Sequence, residues 1–257
     1  MERMLLPVSV LLTNDDGYGS PGLQALEAAL SSVCEVYVLA PDSNRSAVSN
    51  HITMNAPLCI TEKDPRHFTS SGNPVDCVVT ALHADLFTDA NGKRIYFDAV
   101  FSGINKGPNM GSDTVYSGTV AAARQACMYG VPGIALSLDS KDDCYHYEAL
   151  ADFAAKNVHT LMALCTETAF VNVNALSREK YEKVCYSSLC RRDYHDRVRI
   201  EKMPDGKLYS FFLGGSVKSH GDADCDFATV ESGAIAISRI PAEDYAETRP
   251  HTFSFTL

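Results

Sequence analysis

Nowhere in the 257 residues does an apolar run approach the ~20 residues that a membrane-spanning helix requires, so no span is predicted. Positive charge is scarce: 22 Lys and Arg stand against 32 Asp and Glu, a formal net charge of −10. That balance excludes unspecific attachment to a nucleic-acid polymer or an anionic membrane. It leaves small anions open, because backbone amides and a metal ion reverse the field within a single pocket. No C-x-x-C pair occurs among the nine cysteines, and their number is odd. Cys34, Cys59, Cys77, Cys127, Cys144, Cys165, Cys185, Cys190 and Cys225 therefore read as reduced thiols of a cytoplasmic protein, not as a disulfide framework or a zinc cluster. His51, His83, His146, His195 and His220 have no ligand-like spacing to one another. There are no internal repeats, no low-complexity linker and no G-x-x-x-x-G-K-[ST] phosphate loop. Met1–Leu12, with Arg3 and a short apolar run, has the outline of a secretory leader. It lacks a small-residue cleavage site before Asn14 and is predicted to hold the first strand instead.

What is present is a regular alternation of strand and helix. Val8–Thr13 is β-branched and continuously apolar, as a strand buried on both faces must be. Ser20-Pro21 supplies an N-cap and first-turn proline, after which Leu23, Leu26 and Leu30 share one helical face. Glu35–Ala40 is the next strand, closing a βαβ unit. Ile52–Ile60 reads as extended, and Pro74 opens a second helix. Phe97–Ser102 is a third buried strand, and Ser117 caps a helix to Met128 that Gly130 stops. Ile134–Leu138 and Phe170–Val173 are strands on either side of one long helix over Tyr147–Leu164. From Lys183 the pieces become shorter and extended, with a hairpin turning at Asp205-Gly206. The pattern predicts an α/β, Rossmann-like three-layer core with a mainly parallel sheet over residues 1–176. An extended β-rich region, 177–257, follows it and returns to the core near 234–240.

In open α/β sheets, ligands bind beyond the carboxyl ends of the strands. Three polar loops are predicted at that edge: Asn14-Asp15-Asp16-Gly17, then Asp42 with Asn44-Arg45-Ser46, then Gly103, Asn105 and Asn109 leading to Ser117-Gly118-Thr119. Each alone is compatible with an ordinary turn or helix cap. Together they place two adjacent carboxylates, hydroxyls and amide carbonyls along one edge, hard oxygen donors that suit Mg²⁺, Mn²⁺ or Ca²⁺ and not zinc. Ser117-Gly118-Thr119 adds free amides, two hydroxyls and the positive end of a helix, which suits a phosphate. A divalent cation beside a phosphate seat, without a nucleotide-driven motor's loop, points to hydrolysis of a phosphate ester.

The stretches LLTNDDGYGSPGLQAL, VLAPDSNRSAVSNHIT, SGNPVDCV, VFSGINKGPNMGSDTVYSGTVAAA and GVPGIALS, in order from Leu11 to Leu138, resemble the SurE (survival protein E) family of metal-dependent nucleotidases. DFATVESGAIAIS, Asp226–Ser238, resembles it more weakly, and the segment between Leu150 and Ser219 carries no matching motif. The tail after Ile240 is short for the family. The resemblance implies metal ligands at Asp15, Asp16, Ser46 and Asn105, and further active-site positions at Asn44, Asn109, Ser117, Gly118 and Thr119. It implies one Mg²⁺ or Mn²⁺ per subunit, with Ca²⁺ able to take the same oxygens. Nucleoside 5′- and 3′-monophosphates are the implied substrates, and homodimers or homotetramers that exchange C-terminal elements the implied assembly. Asp15 is the residue expected to act as acid–base group or nucleophile, with Asp16 and Asn44 beside it. Two alternatives are a phosphatase of another small ester or short polyphosphate, and a Mg²⁺-binding receiver module. The receiver requires a phosphoacceptor aspartate at a central strand end, where this chain has Ser102-Gly103-Ile104-Asn105.

Overall fold

The structure is a computed structural model and describes residues 8–243. Met1–Pro7, within the predicted start of the first strand, and the tail from residue 244 lie outside the described residues. Nine strands form one sheet: β1 (Ser9–Thr13), β2 (Glu35–Pro41), β3 (Ile60–Asp64), β4 (His67–Ser70), β5 (Ala99–Lys106), β6 (Gly133–Asp139), β7 (Ala169–Leu176), β8 (Val184–Tyr186) and β11 (Ile235–Pro241). Their order is β3-β4-β2-β1-β5-β6-β7-β11-β8. The six from β4 to β7 are all parallel and reproduce the mononucleotide-binding order 3-2-1-4-5-6. β3 adds antiparallel at one edge and β11 antiparallel to β7 near the other. The remaining strands, β9 (Arg191–Lys202) and β10 (Leu208–His220), form a two-stranded ribbon of their own.

Alternation along each strand sorts the core into two faces. Val10, Leu12, Phe101, Ile134, Leu136, Val171 and Val173 meet Leu23, Leu26 and Leu30 of α1 (Pro21–Leu30) together with α4 (Glu148–Lys156) and α5 (Val158–Leu164). Leu11, Tyr37, Leu39 and Val100 point the other way, onto α2 (Pro74–His83) and α3 (Gly118–Met128). A final short helix, α6 (Asp226–Glu231), packs Val230 against Ala236 on that second face. Each fully buried Leu, Ile or Val contributes about 1.5–3 kcal/mol by leaving water. The sheet centre, with side chains buried on both faces, is therefore the rigid element from which the loops project.

Three local expectations are corrected. The predicted helix over Tyr147–Leu164 is two helices, broken at Asn157, whose side-chain amide donates to the Phe153 carbonyl at 2.8 Å. An asparagine that bonds the preceding turn competes with the backbone ladder and ends it. The strand predicted to stop at Ser102 continues to Lys106, after slipping register against β6 between Ser102 and Asn105. Asn105 thus sits on a strand, not in a loop. Residues 51–59 have no regular pairing, and the edge strand β3 begins only at Ile60.

α1 is pressed unusually close to β5. A Cβ on Gly22, in the first turn of α1, would overlap the Ile104 carbonyl oxygen and meet the Tyr147 ring. Glycine in a helix ordinarily costs ~1 kcal/mol relative to alanine. At Gly22 the sign reverses: Gly22→Ala is expected to lower the free energy of unfolding by more than about 1 kcal/mol, measured by urea titration, because α1 must move off the strand.

Candidate active site at the sheet switch point

The strand order reverses between β1 and β5, and the two aspartates follow β1 directly. Asn14, fully buried, builds the turn that carries them: its amide donates to the Gly17 carbonyl at 3.0 Å and to Ser20 Oγ at 2.6 Å, and its Oδ1 accepts the Gly17 N–H at 3.1 Å. Ser20 therefore spends its hydroxyl on this turn instead of capping α1. Asp15, 3% exposed, is met by the start of α3: Thr119 donates its hydroxyl to Oδ1 at 2.6 Å and its N–H to Oδ2 at 3.1 Å. A Cβ on Gly118 would come within 3.1 Å of both Asp15 Oδ2 and Val48 Cγ2, so a larger residue would push on the Asp15 carboxylate. Asp16 turns toward β5 and accepts the Lys106 N–H at 2.8 Å.

Burial pushes the Asp15 carboxyl up to about 6, with the charge of Asp16 adding to it and the Thr119 bonds opposing. Burial also raises Asp16, against the Lys106 N–H and the Lys106 charge. Among the described residues neither carboxylate is in an ion pair. The Lys106 ammonium is engaged with Asp143 at 3.1 Å.

A cavity of about 330 Å³ brings together Asp15, Ser46, Asn105, Asn109 and Ser117, with Asp113, Tyr116 and Tyr194 on its walls. Asp16 lines a neighbouring cavity of about 640 Å³ with Tyr18, Asp143, Tyr145 and Tyr147. Asn105 donates its amide to the Gly107 carbonyl at 2.9 Å, which leaves its Oδ1 as the open end. Ser46 reaches the cavity from the β2 loop. Asn44 shapes that loop, its Oδ1 accepting the Ser46 N–H at 2.9 Å, and its side chain is exposed. Arg45 braces the loop by donating to Asp42 at 3.2 Å and to the Ser71 carbonyl at 2.9 Å. Ser49 ties its far end to the α3 side, its N–H to the Tyr116 carbonyl at 2.9 Å and its Oγ to the Val115 carbonyl at 2.6 Å. Ser117 caps α3 by accepting the Val120 N–H at 3.1 Å. Gly118 and Thr119 stand behind Asp15 and reach the cavity through it.

Sequence reasoning missed the support beneath Asn109. Its carbonyl accepts from the Asn172 and Asn174 amides at 2.9 and 3.0 Å. Its N–H donates to Asn174 Oδ1 at 2.8 Å, and its own amide to Ser137 Oγ at 2.7 Å, all buried. The available signal was the alternation of two asparagines, Asn172 and Asn174, within the buried strand FVNVNAL. The contribution of Tyr194, from the ribbon, had no signal in its neighbours.

The donor set fits a hard divalent cation. Asp15 faces the Ser46 hydroxyl and the Asn105 amide oxygen in one cavity and Asp16 borders the next, all of them oxygen donors and neither carboxylate in an ion pair among the described residues. Among the described residues no three His, Cys, Asp or Glu side chains gather around one point, so the hydroxyl and amide oxygens would have to complete any such donor set.

A doubly wound sheet with an oxygen-lined crevice at its switch point defines a mononucleotide-type α/β protein. The chain belongs to the survival protein SurE family, whose profile matches residues 10–196. It is 47% identical over 191 residues to a protein of Treponema pallidum named 5′-nucleotidase SurE, covering 72% of this chain and 98% of that one. A Geobacter metallireducens protein of the same name is 36% identical over 234 residues, 90% of each chain. The crystal structure of the SurE protein from Aquifex aeolicus superposes with a TM-score of 0.76 at 32% identity, covering 91% of this chain and 94% of that one.

The buried carboxyl generates a stability prediction for the metal-free protein. A carboxyl that binds its proton more tightly folded than unfolded contributes stability that is complete below its ordinary value of 3.8 and is lost as pH rises through about 6. Asp15→Asn retains both Thr119 bonds, accepting the N–H and donating to the hydroxyl, but carries no charge. In EDTA at about pH 8 it should be more stable than wild type by up to ~3 kcal/mol, with the gain vanishing near pH ~4. Equal stabilities at both pH values in denaturant titrations would contradict a buried, uncompensated charge.

Proposed function

We propose that this chain is a metal-dependent phosphomonoesterase that hydrolyses nucleoside 5′-monophosphates, and 3′-monophosphates with them, to nucleoside and inorganic phosphate. The name shared by its relatives supplies the reaction. The observation that carries it here is the pair of carboxylates without a counter-ion, placed at the switch point beside the amide-rich start of α3. Asp15, Asp16, Ser46 and Asn105 would hold Mg²⁺ or Mn²⁺, which supplies charge neutralisation and Lewis-acid polarisation at the phosphoryl group.

The chain's own residues do the rest. Ser117 offers its hydroxyl proton to the ester's phosphoryl oxygens, the Thr119 and Val120 N–H groups being spent on Asp15 and on the cap, and Asn109, fixed by Asn172, Asn174 and Ser137, borders the same space. Thr119 holds the Asp15 carboxylate in one rotamer. Asp15, at the strand end and facing the same cavity, takes the proton of the attacking water. Asn44 acts by fixing the backbone that presents Ser46. The receiver reading lacks its phosphoacceptor, since β5, the strand beside β1, ends in Asn105-Lys106.

Residues up to 176 carry the doublet, the cap and the parallel strands. The region from 177 supplies the ribbon, which we infer to be an assembly element. Val198, Ile200, Phe212 and Leu213 are exposed on it, Phe212 to 69%. An apolar face of this kind ordinarily meets another surface, and a second copy of the chain is the partner the family likeness favours. Among the described residues no helix is long and apolar enough to cross a membrane. All nine cysteines are free thiols, which supports a cytoplasmic setting.

Exhaustive chelation should abolish phosphate release from a nucleoside monophosphate, and Mg²⁺ or Mn²⁺ should restore it. Asp16→Asn should need a higher metal concentration for half-maximal rate while folding normally. Full activity after chelation would overturn the cation's role. Light scattering should give a dimer or tetramer, and Phe212→Glu combined with Ile200→Glu should shift it toward monomer. A wild-type monomer would remove the ribbon's assigned role.

A further inference from the structure

The ribbon brings one aromatic ring to the cavity. Tyr194, on β9, and Tyr116, the residue immediately before the α3 cap, line the same space as Asp15, Ser46 and Asn105. Their rings meet edge to face, with centroids 6.0 Å apart and planes at 87°. The two differ in freedom. Tyr194 donates its hydroxyl to Asp113 Oδ1 at 2.5 Å, and the other Asp113 oxygen receives Arg192 at 2.9 Å. Arg192 in turn donates to Ser219 Oγ at 3.0 Å, so both strands of the ribbon pin this ring. Tyr116 is held through its backbone alone, its N–H on the Asp113 carbonyl at 3.0 Å and its carbonyl under the Ser49 N–H. Its side chain is 56% exposed. The result is an aromatic ring on a fixed backbone, one residue from the proposed phosphate seat, backed by a locked neighbour and open to solvent.

We propose that Tyr116, backed by the edge of Tyr194, is the shelf on which the base of a nucleotide substrate stacks while its phosphate sits in the cavity that Asp15, Ser46, Asn105 and Ser117 line. This inference rests on the nucleotidase reading above. It makes Tyr116 a specificity-determining residue that favours esters bearing a base over bare sugar phosphates. The Tyr194 hydroxyl is spent on Asp113 and reads no base edge. Recognition by the shelf is therefore by stacking, tolerant of base identity and stronger for the larger purine face. The other aromatic wall, Tyr145 stacked on Tyr147 at 5.7 Å, belongs to the neighbouring cavity. There Asp16, Asp42, Asp143 and Glu148 face a single lysine that is already paired with Asp143, an excess of negative charge that disfavours an anionic ester.

The test compares adenosine 5′-monophosphate with ribose 5-phosphate in the metal-supplemented enzyme and in Tyr116→Ala, Tyr116→Phe and Tyr145→Ala variants. Tyr116→Ala should raise KM for the nucleotide roughly 10-fold, the worth of one base–aromatic stack, and leave both constants for ribose 5-phosphate unchanged. Tyr116→Phe should behave as wild type. An equal effect on both esters, or on neither, would overturn the shelf. So would a loss confined to Tyr145→Ala, which would move the base to the neighbouring cavity. The chain contains no tryptophan, so tyrosine emission can be read directly. Adenosine 5′-monophosphate should quench part of it in wild type and lose that part in Tyr116→Ala. Absent or undiminished quenching would also overturn the proposal. Failure of the nucleotidase reading has a separate signature: no phosphate from either ester, with the Tyr116-dependent quench intact.

Discussion

The arrangement turns on one buried contact, the Asp15 carboxylate against the first turn of α3. Removing a charged carboxylate from water without a basic partner is costly, and two Thr119 hydrogen bonds offset only part of that cost. The contact is helped by the small Gly118, by Asn14, which holds the turn after β1, and by Ser117, which caps the helix. Under the proposed function a divalent cation would meet the remaining deficit. A fold that tolerates this deficit at the end of a buried strand has traded stability for an electrostatic field at the switch point.

That field is shared between two cavities. Asp15 faces the smaller one, with Ser46, Asn105, Asn109 and Ser117, while Asp16 turns to the backbone of Lys106 and borders the larger. A one-residue step along the chain thus sends neighbouring carboxylates to opposite sides of a strand end. The slip of β5 against β6 precedes Asn105, which lines the smaller cavity with Asp15. Without it, strand alternation would set a different side chain at that position.

Much of this was legible in the sequence, for a physical reason. The doublet, the Ser46 loop and the Ser117 cap are contiguous motifs at the ends of strands whose apolar runs identify them, and α/β topology carries such ends to one edge. The core followed equally from the helical spacing of Leu23, Leu26 and Leu30. What stayed hidden depends on partners distant in the chain. Asn172 and Asn174 act on Asn109 from more than 60 residues away, and Asp226 accepts the N–H groups of Gly111 and Cys190 at 2.7 and 2.9 Å across separations of 115 and 36 residues. Asn157 ended a helix because its side chain outcompeted the pattern around it. The β5 slip depends on the register of a neighbouring strand, which no local pattern encodes.

The placement of β11 has a consequence for the order in which the molecule is made. β8 pairs in the sheet only with β11, and β11 lies between it and β7. During synthesis the doublet, the loops and α3 emerge long before Ile235–Pro241, so the parallel strands have their helices while β8 has no neighbour. The ribbon that follows β8, and with it the wall formed by Tyr194, is complete only when Ser219 has been made, and Asp226 then holds Cys190 at its base. In the order of synthesis the proposed cation cradle therefore precedes the Tyr194 wall of the cavity beside it.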